Sequence, residues 1–219
     1  MDSDSFEELT FKNRYGISKV RIGIIDPASE ELAFKIVPHN SGELAKFFLE
    51  AKKLADSGDP SGCVDAGCCY AVGFGVDQDA GTAVKYFRRA AVKGHCGAMV
   101  RLALLYAYCC NEERGRAKAM HWLQFAANLG HSEAMFQAGN LCYEGITVDQ
   151  DYSEAAKWYR KAAGKDHPMA QFVLGMMYEK GEGVEEDLRE AMRWFQRASV
   201  NGVDETSERY AECIKREDG

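Results

Sequence analysis

The chain has 219 residues, 46% of them hydrophobic, and a formal net charge of −7 at pH 7. That length can bury a sizeable core or build an elongated array, and the acidic balance argues against a general affinity for nucleic acid or anionic lipid. The longest uncharged apolar run, Leu102 to Cys110, is far short of the roughly 18 residues of a membrane span, and the start MDSDSFEELT lacks the apolar stretch of a signal peptide, so a soluble, cytoplasmic protein with no membrane partner is expected.

Residues 1–13 read as an acidic lead. Residues 14–40 read as a β-hairpin segment, because the β-branched runs Val20-Arg21-Ile22-Gly23-Ile24-Ile25 and Leu32-Ala33-Phe34-Lys35-Ile36-Val37 flank an Asp26-Pro27 turn. Within it, Leu32-Ala33-Phe34-Lys35 resembles the V-A-I-K strand of protein kinases, with Glu50 near the place of the glutamate that pairs with that lysine. Neither H-R-D nor D-F-G follows, so the resemblance implies at most a regulatory fragment with a vestigial nucleotide-binding strand at Lys35. Residues 41–59 predict a helix that aligns Leu44, Phe47, Phe48, Ala51, Leu54 and Ala55 on one face and stops at Gly58; it is expected to cap the array that follows.

From Pro60 a 36-residue period runs without gaps through four units, 60–95, 96–131, 132–167 and 168–203. In the last unit Ala170, Leu174, Met177 and Tyr178 define one face of a first helix, and Gly175 inside it calls for a close neighbour. Gly181 and Gly183 stop that helix, Asp187 caps a second, and Leu188, Ala191, Trp194, Phe195 and Ala198 form the apolar side of the second. Gly94-His95, Gly130-His131, Asp166-His167 and Gly202-Val203 mark the same junction four times. The second unit departs: AYCCNEERGRAK keeps the length but loses the glycine pair and puts Gly115 at the cap position, so its turn must be built differently. Residues 204–219 offer one more capping helix, with Tyr210 and Ile214 expected to pack backwards.

The keyed pattern A-x-x-x-L-G-x-x-Y-x-x-G-x-G-V-x-x-D-x-x-x-A-x-x-W-(Y/F)-x-x-A, matched by Ala170 to Ala198, is similar to the Sel-one-like repeat, a relative of the tetratricopeptide repeat. The resemblance implies an all-α, right-handed α-α solenoid of four 36-residue helical-hairpin repeats that serves as an adaptor or scaffold for protein or peptide partners. By analogy with tetratricopeptide arrays, first helices line a concave face on which Val64, Val100, Phe136 and Phe172 form one row, and Cys68, Leu104, Asn140 and Met176 another, with Tyr143 and Glu179 one turn on. An apolar or amphipathic peptide helix is the occupant such a groove suits.

No catalytic constellation accompanies these repeats, so neither an enzyme nor a cofactor is expected. His95, His131 and His167 recur one unit apart, which places them on helices roughly 8 to 10 Å or more from one another; they read as turn residues and not as ligands of one metal ion. The eight cysteines fall at mostly different positions of the unit, Cys142 standing where other units have Tyr70, Tyr106 and Tyr178, as small core residues in a reducing compartment would. The in-register cations Lys85, Lys157 and Arg193 read as solvated helix faces, with no nucleic acid implied.

Overall fold

The computed structural model describes residues 6–13, 16–23, 41–109, 113–146, 149–204 and 206–217. The chain divides into two compact units, Met1–Lys93 and Gly94–Gly219.

The first unit contains strands β1 (Phe6–Asn13) and β2 (Gly16–Gly23) and helices α1 (Ser41–Asp56), α2 (Pro60–Val72) and α3 (Ala80–Val92). The strands pair antiparallel, Asn13 opposite Gly16 and Leu9 opposite Val20. Val20 to Gly23 of the expected run thus belong to the second strand, and its described partner is part of the stretch read as an acidic lead. Pairing nearest neighbours closes the shortest loop, which lowers its entropic cost. The expected strand at Leu32–Val37, and Lys35 with it, lies outside the described residues.

Helix α1 takes the slot of a second helix in a degenerate repeat. A Cβ on Gly75 would stand 2.3 Å from the carbonyl oxygen of Leu44, and one on Gly183 would stand 2.3 Å from that of Tyr152. Leu44 precedes Gly75 by the same interval as Tyr152 precedes Gly183, so the turn of one repeat presses on the start of the preceding second helix in both places.

The second unit runs α4 (Cys96–Cys109), α5 (Glu113–Asn128), α6 (Ser132–Glu144), α7 (Tyr152–Ala163), α8 (Pro168–Lys180), α9 (Leu188–Val200) and α10 (Thr206–Glu217). Each helix packs on the next in chain order, and α4 also meets α6, the stacking of a helical-hairpin solenoid.

The interior depends on exchanging bulk between the two helices of a repeat. A Cβ on Gly67, Gly139 or Gly175 would lie 2.7, 2.6 or 2.7 Å from the ring of Phe87, Tyr159 or Phe195, respectively. Each glycine therefore lets the aromatic ring of its own second helix lie on backbone, which offsets the roughly 1 kcal/mol that glycine costs in a helix. The second repeat holds Ala103 and Leu123 at these positions, both fully buried: a larger residue on the first helix, a smaller one on the second.

The same repeat confirms that its turn is built differently. Gly73, Gly145 and Gly181 end their helices in the left-handed conformation, and Asp79, Asp151 and Asp187 accept backbone N–H groups at the start of the next. Where the second repeat has Cys109 and Gly115 instead, α4 runs through Cys109 and α5 begins at Glu113, six residues ahead in chain of the buried Ala119. Without a stop and a cap, the helices extend into the turn.

Helix α10 is in register with the first helices: Thr206 and Cys213 are buried at the positions of Ala170 and Met177. Tyr210 and Ile214, expected to pack backwards, are exposed; their positions match Leu174 and Tyr178 of the fourth repeat. Among the described residues no helix follows α10, and none is long and apolar enough to cross a membrane.

Candidate functional site

The three histidines are N-caps. The Nδ1 atoms of His95, His131 and His167 accept the backbone N–H groups of Ala98, Ala134 and Ala170 at 3.2, 3.3 and 3.2 Å. Asp59 does the same for Gly62 at 2.7 Å, one repeat earlier. An accepting Nδ1 requires a neutral ring with its proton on Nε2, and at His167 that Nε2 donates to Glu133 Oε2 across 3.0 Å. The bond from His167 holds the Glu133 carboxyl below its ordinary range, and burial lowers the pKa of His131. Among the described residues no cluster of three or more His, Cys, Asp or Glu side chains is placed to hold a metal ion.

The expected concave row separates into buried and accessible members. Val64, Val100, Phe172 and Glu179 are buried in this chain, each less than a tenth exposed. Phe172 closes on Phe195, ring centroids 5.8 Å apart, in a core cluster that includes Cys213 of α10. Glu179 is 4% exposed, and its Oε1 lies 3.6 Å from both Arg209 and Arg216, so it fastens the capping helix. Its Oε2 has no hydrogen-bond partner among the described residues. The analogy placed these residues by position alone, whereas α10 packs against Phe172 through Cys213.

Five members of the row keep part of their surface: Leu104, Phe136, Asn140, Tyr143 and Met176. Phe136 stacks on the cap His167 at 4.6 Å, which ties a surface ring to a helix start. Asn140 accepts from Tyr159 Oη at 2.8 Å, and Tyr143 Oη donates to Glu182 at 2.9 Å. Met176 and Phe172 line, with Glu208, Arg209 and Glu212, an open cleft of about 490 Å³ between α8 and α10.

Thiol chemistry is suppressed where the cysteines are buried. Burial pushes Cys69 up to about 12 and Cys142 up to about 11, so neither forms a thiolate near neutral pH. On α1, Glu50 is exposed. Lys35 lies outside the described residues, and the kinase-derived alternative has no support.

The outer side of the second helices shows a pattern that sequence reading did not single out. Arg89, Lys161 and Arg197 set their cations over the rings of Tyr86, Trp158 and Trp194, at 5.5, 4.0 and 4.9 Å from the centroids. The second repeat puts Phe125 there, edge-on to Trp122 at 6.5 Å. The signal was available: Lys93 and Lys165 likewise align with Leu129.

The Sel1 repeat model matches residues 60–95, 97–131, 132–167 and 168–202, more than half of the chain. A protective antigen of uropathogenic Escherichia coli with an SLR fold is 31% identical, covering 77% of this chain and 36% of its own, with a TM-score of 0.67. A Sel1 repeat protein of Oxalobacter formigenes is also 31% identical, covering 74% and 66%, with a TM-score of 0.65. An immunity protein of Pseudomonas aeruginosa, 20% identical over 73% of this chain and 58% of its own with a TM-score of 0.50, shares the fold alone. The chain thus spans 36% and 66% of the first two of these proteins. No curated protein matches it at significant similarity.

Proposed function

Because the chain belongs to the Sel1 repeat family, whose members generally mediate protein–protein interaction and are typically non-catalytic, we propose that it is a scaffold that binds a partner peptide or domain along the concave side of its first helices. The observation that carries this reading is the accessible mixed row in the second unit, where apolar Leu104 and Met176 accompany Asn140 and Tyr143. Apolar surface bordered by oriented hydrogen-bonding groups is the chemistry of a peptide groove. A reducing, cytoplasmic setting fits cysteines that are buried inside helices as free thiols, as Cys69 and Cys142 are.

The test is substitution of the accessible members with charge. L104E and M176E, each verified as folded by circular dichroism, should lose partners that the parent protein recovers by affinity purification. An unchanged partner set in both variants would remove the concave-face reading. Phe172 is unsuitable for this purpose, since a carboxylate there would disrupt the core cluster.

A further inference from the structure

We propose that the outer stripe of α5 is a second docking surface and that its occupant is an acidic amphipathic helix of a partner protein. The stripe runs through Lys118, His121, Trp122, Phe125 and Leu129, at intervals of three and four residues that align one side of a helix. Phe125 is 48% and Leu129 56% exposed. The equivalent positions of the other three repeats hold Arg89 and Lys93, Lys161 and Lys165, and Arg197 and Asn201. The scaffold therefore accepts polar groups at both places, and packing does not call for the apolar ones.

Charge specifies the occupant. From Arg116 to Asn128 helix α5 has no acidic residue, and the exposed Lys118 begins the stripe itself. The next second helix, α7, adds exposed Arg160 and Lys161, while its Lys157 is paired with Glu154 at 2.9 Å. An apolar seam with a cationic border, on a chain whose net charge is −7, complements a helix with apolar residues on one face and carboxylates flanking it. This surface lies on second helices, so it is separate from the first-helix row and does not depend on it.

The probe is a fluorescein-labelled synthetic peptide about 18 residues long, with leucine or phenylalanine at spacings of three and four and glutamate elsewhere. Binding is read by fluorescence anisotropy against the full chain. The F125K/L129K double variant, which installs side chains that neighbouring repeats already hold, should weaken binding at least about tenfold, and a peptide of the same composition with the apolar positions scrambled should bind as weakly. L104E should bind the probe like the parent, which separates this surface from the concave one. No binding of the probe at about 1 mM, or binding unchanged in F125K/L129K, would overturn the proposal. It would also be overturned if anionic phosphatidylserine vesicles, or a second copy of the chain in sedimentation, proved to be what the double variant loses.

Discussion

In the fourth repeat the ring of Phe195 lies on Gly175, and the guanidinium of Arg197 lies over the ring of Trp194. In the second, Leu123 and Ala103 hold the equivalent interior positions, and Phe125 meets Trp122 edge-on. The interior difference is compensated: what the first helix gains in bulk, the second gives up. The outer difference is not, because exchanging a cation for a phenyl ring leaves apolar surface in water, and Leu129 adds to it. A repeat can thus preserve its packing while changing its surface. The second repeat has changed its turn and its outer face together.

The comparison can be broken most forcefully at the turn. In the fourth repeat Gly183 has φ +68 and its Cβ would collide with Tyr152 backbone at 2.3 Å, so G183A should lower stability by about 3 kcal/mol, measured by urea denaturation. The interior compensation predicts the next effect. L123F alone overpacks against Ala103 and should lose about 2 kcal/mol, whereas the pair A103G/L123F recreates the geometry of the fourth repeat and should recover most of that loss.

Smaller effects sit at the junctions. Because the folded state lowers the pKa of His131, its cap contributes fully above the unfolded value of about 6.5 and is lost as pH falls through that value toward the folded one. H131N keeps an accepting cap that does not titrate, and should flatten the decline in melting temperature between about pH 7 and 5. At the third junction Asp166 takes φ 56 where the other three hold glycine. D166G should raise stability, by up to about 1 kcal/mol less whatever the 3.5 Å contact from Gln171 contributes, readable as a small rise in the urea midpoint.

The repeats, their junctions and the altered second turn were legible in the sequence because they rest on small residues at fixed spacing, and Gly175 announced a close neighbour before Phe195 was placed on it. The histidines were recognised as turn residues but not as caps, since imidazole is an uncommon acceptor at a helix start and only the geometry shows Nδ1 aimed at the N–H. The exposure of the concave row was not legible: Val100, Phe172 and Glu179 were placed on it by analogy with tetratricopeptide arrays, but burial depends on the neighbouring helix, and Phe172 and Glu179 pack on α10. The strand partner of Gly16–Gly23 was missed because the acidic residues of Phe6–Asn13 masked a stretch able to pair in register. The outer stripe of α5 was visible in the alignment of the four units, once Phe125 and Leu129 were set against cations rather than read as one more apolar face.

That stripe carries the central claim, that the second repeat presents Phe125 and Leu129 for contact and not for its own stability. The most direct measurement is the unfolding free energy of F125K/L129K beside that of the parent chain. Agreement within about 0.5 kcal/mol, or a gain, is the predicted result, as for exposed positions free of packing. A loss of about 2 kcal/mol or more would show that both side chains are structural, and would contradict the account.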